Sequence, residues 1–295
     1  MNGLLAAFVC MMVLFAASGR SFAAGGADRE SLAEMVLVPA GDFDMGSKGD
    51  MYNNDEMPRH RVFVSAFQID IHEVTNEMFA RFLNGAKPDE HKGSRLWQWI
   101  VLRNDLDTEE RSSWFPAEIA FKNGAYSPLK GFEKYPVVSL SWPAAEAYCR
   151  WVGKRLPTEA EWEKAARGGI EHADYPWGDT LPTRDSGVVF GRKWTDNTMP
   201  VPARDVGNYP PNGYGIYDMA GNVAEWCSDW YDETYYRSSP SEDPQGPQRG
   251  MKKVVRGGSW VSLPAGLRAG ARYASAPETL SNTTGFRCVR DTGGK

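Results

Sequence analysis

The run Asp218-Met219-Ala220-Gly221-Asn222-Val223-Ala224-Glu225-Trp226 places two carboxylates seven positions apart, with a glycine between them. Such a run can fold around a hard cation. Asp218 and Glu225 would supply side-chain oxygens, and the turn between them backbone carbonyls. Calcium accepts about six to eight oxygens in flexible geometry and suits that mixed set. The spacing is not that of an EF-hand, so taken alone it favours a plain glycine turn with two solvated acids. Other chemistry-bearing residues are sparse. The histidines are His60, His72, His91 and His172. His72-Glu73 opens like a zincin motif, but position 76 is Asn76, so the second ligand is missing. A lone histidine is more often a hydrogen-bonded structural residue than a ligand. No glycine-rich phosphate loop or nucleophile elbow is present. Asn282-Thr283-Thr284 is a glycosylation sequon, without meaning in a bacterial host.

The elements that must position these residues belong to a chain of 295 residues, 42% hydrophobic and 24% charged, values of a globular protein. A net charge of −5 and the lack of any Lys/Arg run exclude nucleic acid as the expected partner. Gly3 to Ala17 is an apolar run followed by Ser21-Phe22-Ala23-Ala24. It reads as a secretory signal, residues 1–23, cleaved after Ala23 or Ala24. An uncleaved anchor is the alternative, since no Lys or Arg precedes the run. The run is short for a membrane span, and no later segment could cross a bilayer. Export implies a periplasmic or secreted protein with no membrane attachment after cleavage. There disulfides persist. Cys10 leaves with the signal, and Cys149, Cys227 and Cys288 remain. Three thiols allow one bridge and one free cysteine, or three free cysteines.

Residues 24–34 read as a linker, 35–291 as one domain and 292–295 as a tail. Met35–Pro39 and Gly41–Gly46 read as strands, and Arg61–Ile71 alternates as a strand does. Thr75 can cap a helix carrying Met78, Phe79, Phe82 and Leu83 on one face. Residues 86–134 are less regular, with a charged stretch near 103–111 and a hairpin turning at Asn123-Gly124. Pro136–Leu140 reads as a strand. Ser141 is expected to cap a helix closed by Gly153, and Thr158-x-x-Glu161 is a capping box for a helix ending at Gly168. Short strands follow at Lys253–Arg256 and Gly285–Val289. From Gly178 to Gly215 the chain is mostly loop, and a loop that long needs a pin, such as a cation or a disulfide. Few helices, short strands and long loops predict a single α+β domain.

Several blocks resemble the formylglycine-generating enzyme (sulfatase-modifying factor) family. Met35-Val36-Leu37-Val38-Pro39-Ala40-Gly41 with Met45-Gly46-Ser47 resembles its opening. Glu73-Val74-Thr75-Asn76, Gly153–Glu163, Pro176-Trp177-Gly178 and Pro210–Gly215 follow in family order. Then come Gly221–Trp226, Arg256-Gly257-Gly258-Ser259-Trp260 and Gly285-Phe286-Arg287. The resemblance implies a single domain with a C-type-lectin-like core and structural calcium, bound by the side chains of Asp218 and Glu225 and the carbonyls of Gly221 and Val223. A second family calcium site would fall near Asp185–Val188, but its Ala-Asn pair is missing, so that site is not assigned. The resemblance also pairs Cys149 with Cys288, leaving Cys227 as a buried, inert thiol. A crosslink over ~139 residues would add at most about 5 kcal/mol on the chain-entropy model.

The founding enzyme of the family holds Cu(I) with two cysteines after the Gly-Gly-Ser-aromatic block, and soft thiolates suit that ion. Here Gly257 to Arg268 contains no cysteine. Ser262 stands at the first metal position, the second falls within Pro264–Leu267, and the oxidase's tryptophan is Ala224. No copper is therefore expected. The family's iron enzymes draw histidines from an added helical bundle that this chain has no room for. By the same resemblance Ser259, Ser262 and Arg272 are candidates for catalysis in the cleft, and Trp260, Arg268, Arg272 and Tyr273 for binding substrate. The alternative for Arg272 and Arg287 is structural, bonding loop carbonyls. The expected activity is that of an exported maturation factor or oxygen-dependent oxidoreductase acting on a peptide or small peptide-derived substrate, not by the copper route. A non-catalytic peptide- or glycan-binding module is the alternative, and a formylglycine generator the lesser one.

Overall fold

A computed structural model describes residues 32–48, 54–86, 100–102, 117–183, 185–192 and 203–293. The expected signal, most of the linker and the charged stretch near 103–111 lie outside the described residues. Strands β1 (Met35–Val38), β4 (Phe67–Asp70) and β11 (Val289–Asp291) form one antiparallel sheet in the order β1-β4-β11. Strand β2 (Gly41–Met45) pairs with β3 (His60–Val64), and β5 (Ile119–Lys122) with β6 (Ala125–Pro128). The sheet β10-β7-β8-β9 is built from β7 (Ala224–Trp230), β8 (Lys253–Arg256), β9 (Tyr273–Ser275) and β10 (Thr284–Gly285). The described helices are α1 (Asn76–Ala86), α2 (Trp142–Trp151) and α3 (Glu159–Arg167). This is a single α+β domain with few helices and short strands in small sheets.

Strand β7 is buried on both faces, and the two-residue period of a strand sends its side chains into two cores. Ala224 and Trp226 pack with Phe79, Phe82, Tyr148 and Phe286 beneath α1 and α2. Cys227 packs on the other side with Trp162 of α3, Val62, Phe67 and Ile69. Val255 and Val254 of β8 divide in the same way. Glu225 thereby faces α3. The Cys149–Cys288 disulfide ties α2 to the segment between β10 and β11, with the Cα atoms 5.6 Å apart.

Helix α3 is buried along its whole length, which its sequence would not suggest, since it carries five charged residues. Its capping box forms: the Glu161 amide donates to Thr158 Oγ1 (3.1 Å) and the Thr158 amide to Glu161 Oε2 (2.8 Å). Gly168 ends it in the left-handed conformation. Its buried charges are matched rather than solvated, as burial requires. Glu163 receives Arg167 and Arg256, Glu159 receives Arg256 and Arg272, and the Lys164 ammonium donates to the carbonyls of Gly41 and Val64.

The structure corrects four local expectations. The alternating run 61–71 is two strands, β3 and β4, in different sheets. Pro136–Leu140 is not a strand: Ser139 has φ 57°, and only isolated bridges form at Pro136 and Leu140. Ser141 begins α2, but its hydroxyl makes no capping bond. Gly285 to Val289 divides between β10 and β11, so that Phe286, Arg287 and Cys288 cross from one sheet to the other.

Candidate functional site

The turn Asp218–Val223 is shaped by three left-handed residues, Asp218 (φ 56°), Gly221 (φ 81°) and Asn222 (φ 52°). Gly221 has no substitute: a Cβ there would lie 2.4 Å from the Val189 carbonyl oxygen. The Asn222 amide donates to that same oxygen at 2.9 Å, and the Gly221 amide donates to Gly257 O. The turn is thus stitched to the 188–190 segment on one side and to the Gly257-Gly258 corner on the other.

Two buried acids, Glu73 and Glu225, and the half-buried Asp218 meet at this turn. Glu73, fully buried, accepts from Asn222 Nδ2 (2.6 Å) and the Val223 amide (3.1 Å). Burial pushes its carboxyl well above the usual range, and the nearby charges of Asp218 and Glu225 push it further. Asp218 is raised chiefly by burial, against the pull of the Gly207 amide (2.7 Å to Oδ2) and Arg287. Glu225 is held from two sides: Arg287 Nε and Nη2 donate to it at 2.7 to 3.0 Å, and Trp162 Nε1 at 2.8 Å. Arg287 also donates to the carbonyls of Asp70 and Tyr217. It is structural, bonding loop carbonyls and one carboxylate. His72 lies against Tyr217, and burial lowers its pKa to about 4, so it adds no positive charge near neutrality.

These groups suit a hard cation. The carbonyls of Gly221 and Val223 accept no hydrogen bond from any described residue, and neither does Asp218 Oδ1. Three acids share this region with one guanidinium, and the Glu73 and Asp218 carboxyls are raised, by burial first and by neighbouring acids second. Among the described residues no group of three His, Cys, Asp or Glu side chains is arranged as a metal cage. Any cation here would therefore need backbone oxygens beside its side-chain ligands. Sequence reasoning missed Glu73 as the residue that orients the loop. Its block was visible, but nothing local indicates that it reaches Asn222, 149 positions away.

The cleft candidates fare differently. Arg268 is committed to Glu56 through both terminal nitrogens (2.5 and 2.8 Å) and to Ser47 Oγ (3.2 Å), and is 7% exposed. Arg272, 3% exposed, grips Glu159 (2.8 and 2.9 Å) and the carbonyls of Asp55 and Asp232, over the Tyr236 ring. Trp260 is 2% exposed; its Nε1 donates to Asn282 O, and it packs with Val138, Val189 and Val223. Ser259 is buried too. Arg268, Arg272, Trp260 and Ser259 are thus buried, and in this structure the two arginines and the tryptophan brace the interior. Ser262 and Tyr273 remain at the surface. The Ser262 hydroxyl accepts the Ser259 amide (2.9 Å), so it shapes its own loop.

Residues 22–292 match the family described as the sulfatase-modifying factor enzyme 1-like domain. The chain belongs to the formylglycine-generating enzyme (sulfatase-modifying factor) family. It is 40% identical over 278 residues to the formylglycine-generating enzyme of Streptomyces coelicolor, covering 87% of this chain and 88% of that protein. It is 39% identical over 262 residues to the serine/threonine-protein kinase pkn1 of Chlamydia pneumoniae, which takes in 88% of this chain but 38% of that protein. The chain thus spans well under half the length of the chlamydial relatives it matches. Among solved structures, PvdO from Pseudomonas aeruginosa shares 26% identity with a TM-score of 0.64, covering 88% of this chain and 94% of that one.

Within this family the state of the thiols bears directly on chemistry. Cys149 and Cys288 are bonded to each other. Cys227 is buried at 0% exposure, and burial, then the charges of Asp229 and Glu159, push its thiol well above the usual range. Beyond Cys10 there is no other sulfhydryl in the chain.

Proposed function

We propose that this protein is an exported, calcium-stabilised family member that acts on a peptide-derived substrate without a copper–dithiolate centre. One observation carries the reading: every cysteine after residue 10 is either crosslinked or buried as a neutral thiol, and the loop after Ser259 offers a hydroxyl, Ser262, instead. A neutral thiol is neither a nucleophile nor a soft ligand. The calcium would rest on Asp218, Glu225 and the carbonyls of Gly221 and Val223, where it would offset the acids that Arg287 leaves unbalanced. The apolar run of residues 3–17 supports export, and the disulfide is in keeping with an oxidising compartment.

A non-catalytic module for peptides or glycans is the second reading. Arg268, Arg272 and Trp260 are turned inward, while Val261 (47%), Leu263 (73%) and Tyr273 (40%) stand exposed around Ser262. That is a contact surface more than a reaction chamber.

Oxygen uptake and mass spectrometry with a Cys-x-Pro-x-Arg peptide, with and without Cu(I), test the proposal. The expected result is no aldehyde under either condition. Aldehyde formation that depends on Cu(I) would refute it. Turnover of other peptides with Fe(II) would favour the oxidoreductase, and binding without turnover the module.

A further inference from the structure

A second site stands apart from the calcium loop and from the copper-route segment. The turn after β2, the segment leading into β3 and the turn Tyr235–Arg237 enclose an open pocket of about 450 Å³. Lys48, Arg59 and Arg237 line it, with Ser47, Asn54 and Met57 between them, and among the described residues no carboxylate is in its lining. None of the three cations makes a hydrogen bond or ion pair with any described residue. Among the described acids nearest in sequence, Asp55 Oδ2 accepts the Tyr231 hydroxyl (2.7 Å), and Glu56 is clamped by Arg268 and by Ser47 Oγ (2.6 Å); Asp50 lies outside the described residues.

The convergence is built into the backbone. Gly46 (φ 94°) allows the turn after β2 to press on its neighbours; a Cβ there would lie 2.6 Å from Glu56 O and 3.3 Å from the Tyr236 ring. The Ser47 amide donates to Glu56 O (3.0 Å), and Gly46 is fixed to α3 through Glu163 and Arg167. The residues just before Lys48 are therefore fixed, and the Arg237 amide donates to Thr234 O (3.0 Å). A smaller adjoining recess shares Ser47, Lys48 and Arg59, and reaches His172 and one carboxylate, Asp174.

In a chain of net charge −5, three cations around one hollow with no partner among the described residues are not a by-product of general basicity. Held together without counter-charge they repel, and an oxyanion in the hollow removes that cost. Two guanidinium forks and one ammonium match the oxygens of a multiply charged group, the forks by paired hydrogen bonds and the lysine as a point charge. We infer that this pocket binds a small ligand through a phosphate- or sulfate-type oxyanion. The pocket volume leaves room for more of the ligand than that group alone.

Isothermal titration of the purified protein with inorganic pyrophosphate, sulfate and citrate, at low and physiological salt, tests the site. Saturable binding of pyrophosphate at one per chain is expected, displaced by sulfate and weakened by salt. Arg59→Gln/Arg237→Gln should weaken it by about tenfold or more, because hydrogen bonds to charged groups are lost. Its melting temperature without anion should not fall below the wild-type value, since neither side chain has a partner among the described residues and their mutual repulsion is relieved. Lys48→Gln, at an exposed position, gives a second readout if the double variant folds poorly. Absence of saturable binding, wild-type affinity in the variants, or a preference for citrate over pyrophosphate overturns the inference.

Discussion

Glu225→Gln separates the two duties assigned to that carboxylate. In the structure it neutralises the buried Arg287 and accepts the Trp162 indole, and we propose that it also ligates calcium. Glutamine keeps the shape and an acceptor for Trp162 but leaves the guanidinium, 0% exposed at its side chain, without its counter-charge. Breaking one side of a buried pair costs about 3–5 kcal/mol. At roughly 2–4 °C per kcal/mol for a domain of this size, the variant should melt about 6–20 °C below wild type in a chelator. Calcium at about a hundred times its dissociation constant should add a further ~2.7 kcal/mol to wild type alone. Thermal melts by circular dichroism at pH 7, in EGTA and in excess calcium, resolve both terms. A variant that melts with wild type in EGTA would refute the buried-pair argument. A wild-type melt that ignores calcium, or a variant that gains as much from it as wild type, would refute the proposed site.

Two further predictions concern buried groups of β7, beside α3. Asp229, buried and close to Glu159, has its carboxyl pushed up to about 7, by burial first and Glu159 second. Between the unfolded value of about 4 and that value, the folded state holds a proton the unfolded chain has lost. Stability therefore falls as pH rises through this window, and the loss is complete above it. Asp229→Asn should remove the slope, so that its melting temperature relative to wild type climbs from pH 5 to pH 8; a constant difference would count against the argument. Cys227 should resist a thiol reagent such as DTNB in the native protein and react once per mature chain after unfolding without reductant. Peptide mapping should then recover Cys149 joined to Cys288, and native labelling of Cys227 would contradict its burial.

Much of this molecule is written in short stretches of sequence. The Thr158-x-x-Glu161 box, the Asn123-Gly124 hairpin turn and the apolar face of α1 are each specified within a few residues. Capping, positive φ and helical period act at that range, and all three elements form as expected. The order of the family blocks and the lack of cysteine between Gly257 and Arg268 are likewise properties of the chain alone. What only the tertiary structure decided is which polar residues are braces and which are free. Arg268 meets Glu56 across 212 positions and Arg272 meets Glu159 across 113. No local window contains both members of such a pair, so both arginines read as surface grips until the partners are seen. Arg59 and Arg237, ordinary in sequence, become unusual only because folding brings them to one hollow and sends the neighbouring acids elsewhere. Burial makes the difference: an internal charge must find its counter-charge wherever the fold places it, whereas a cation facing water need not.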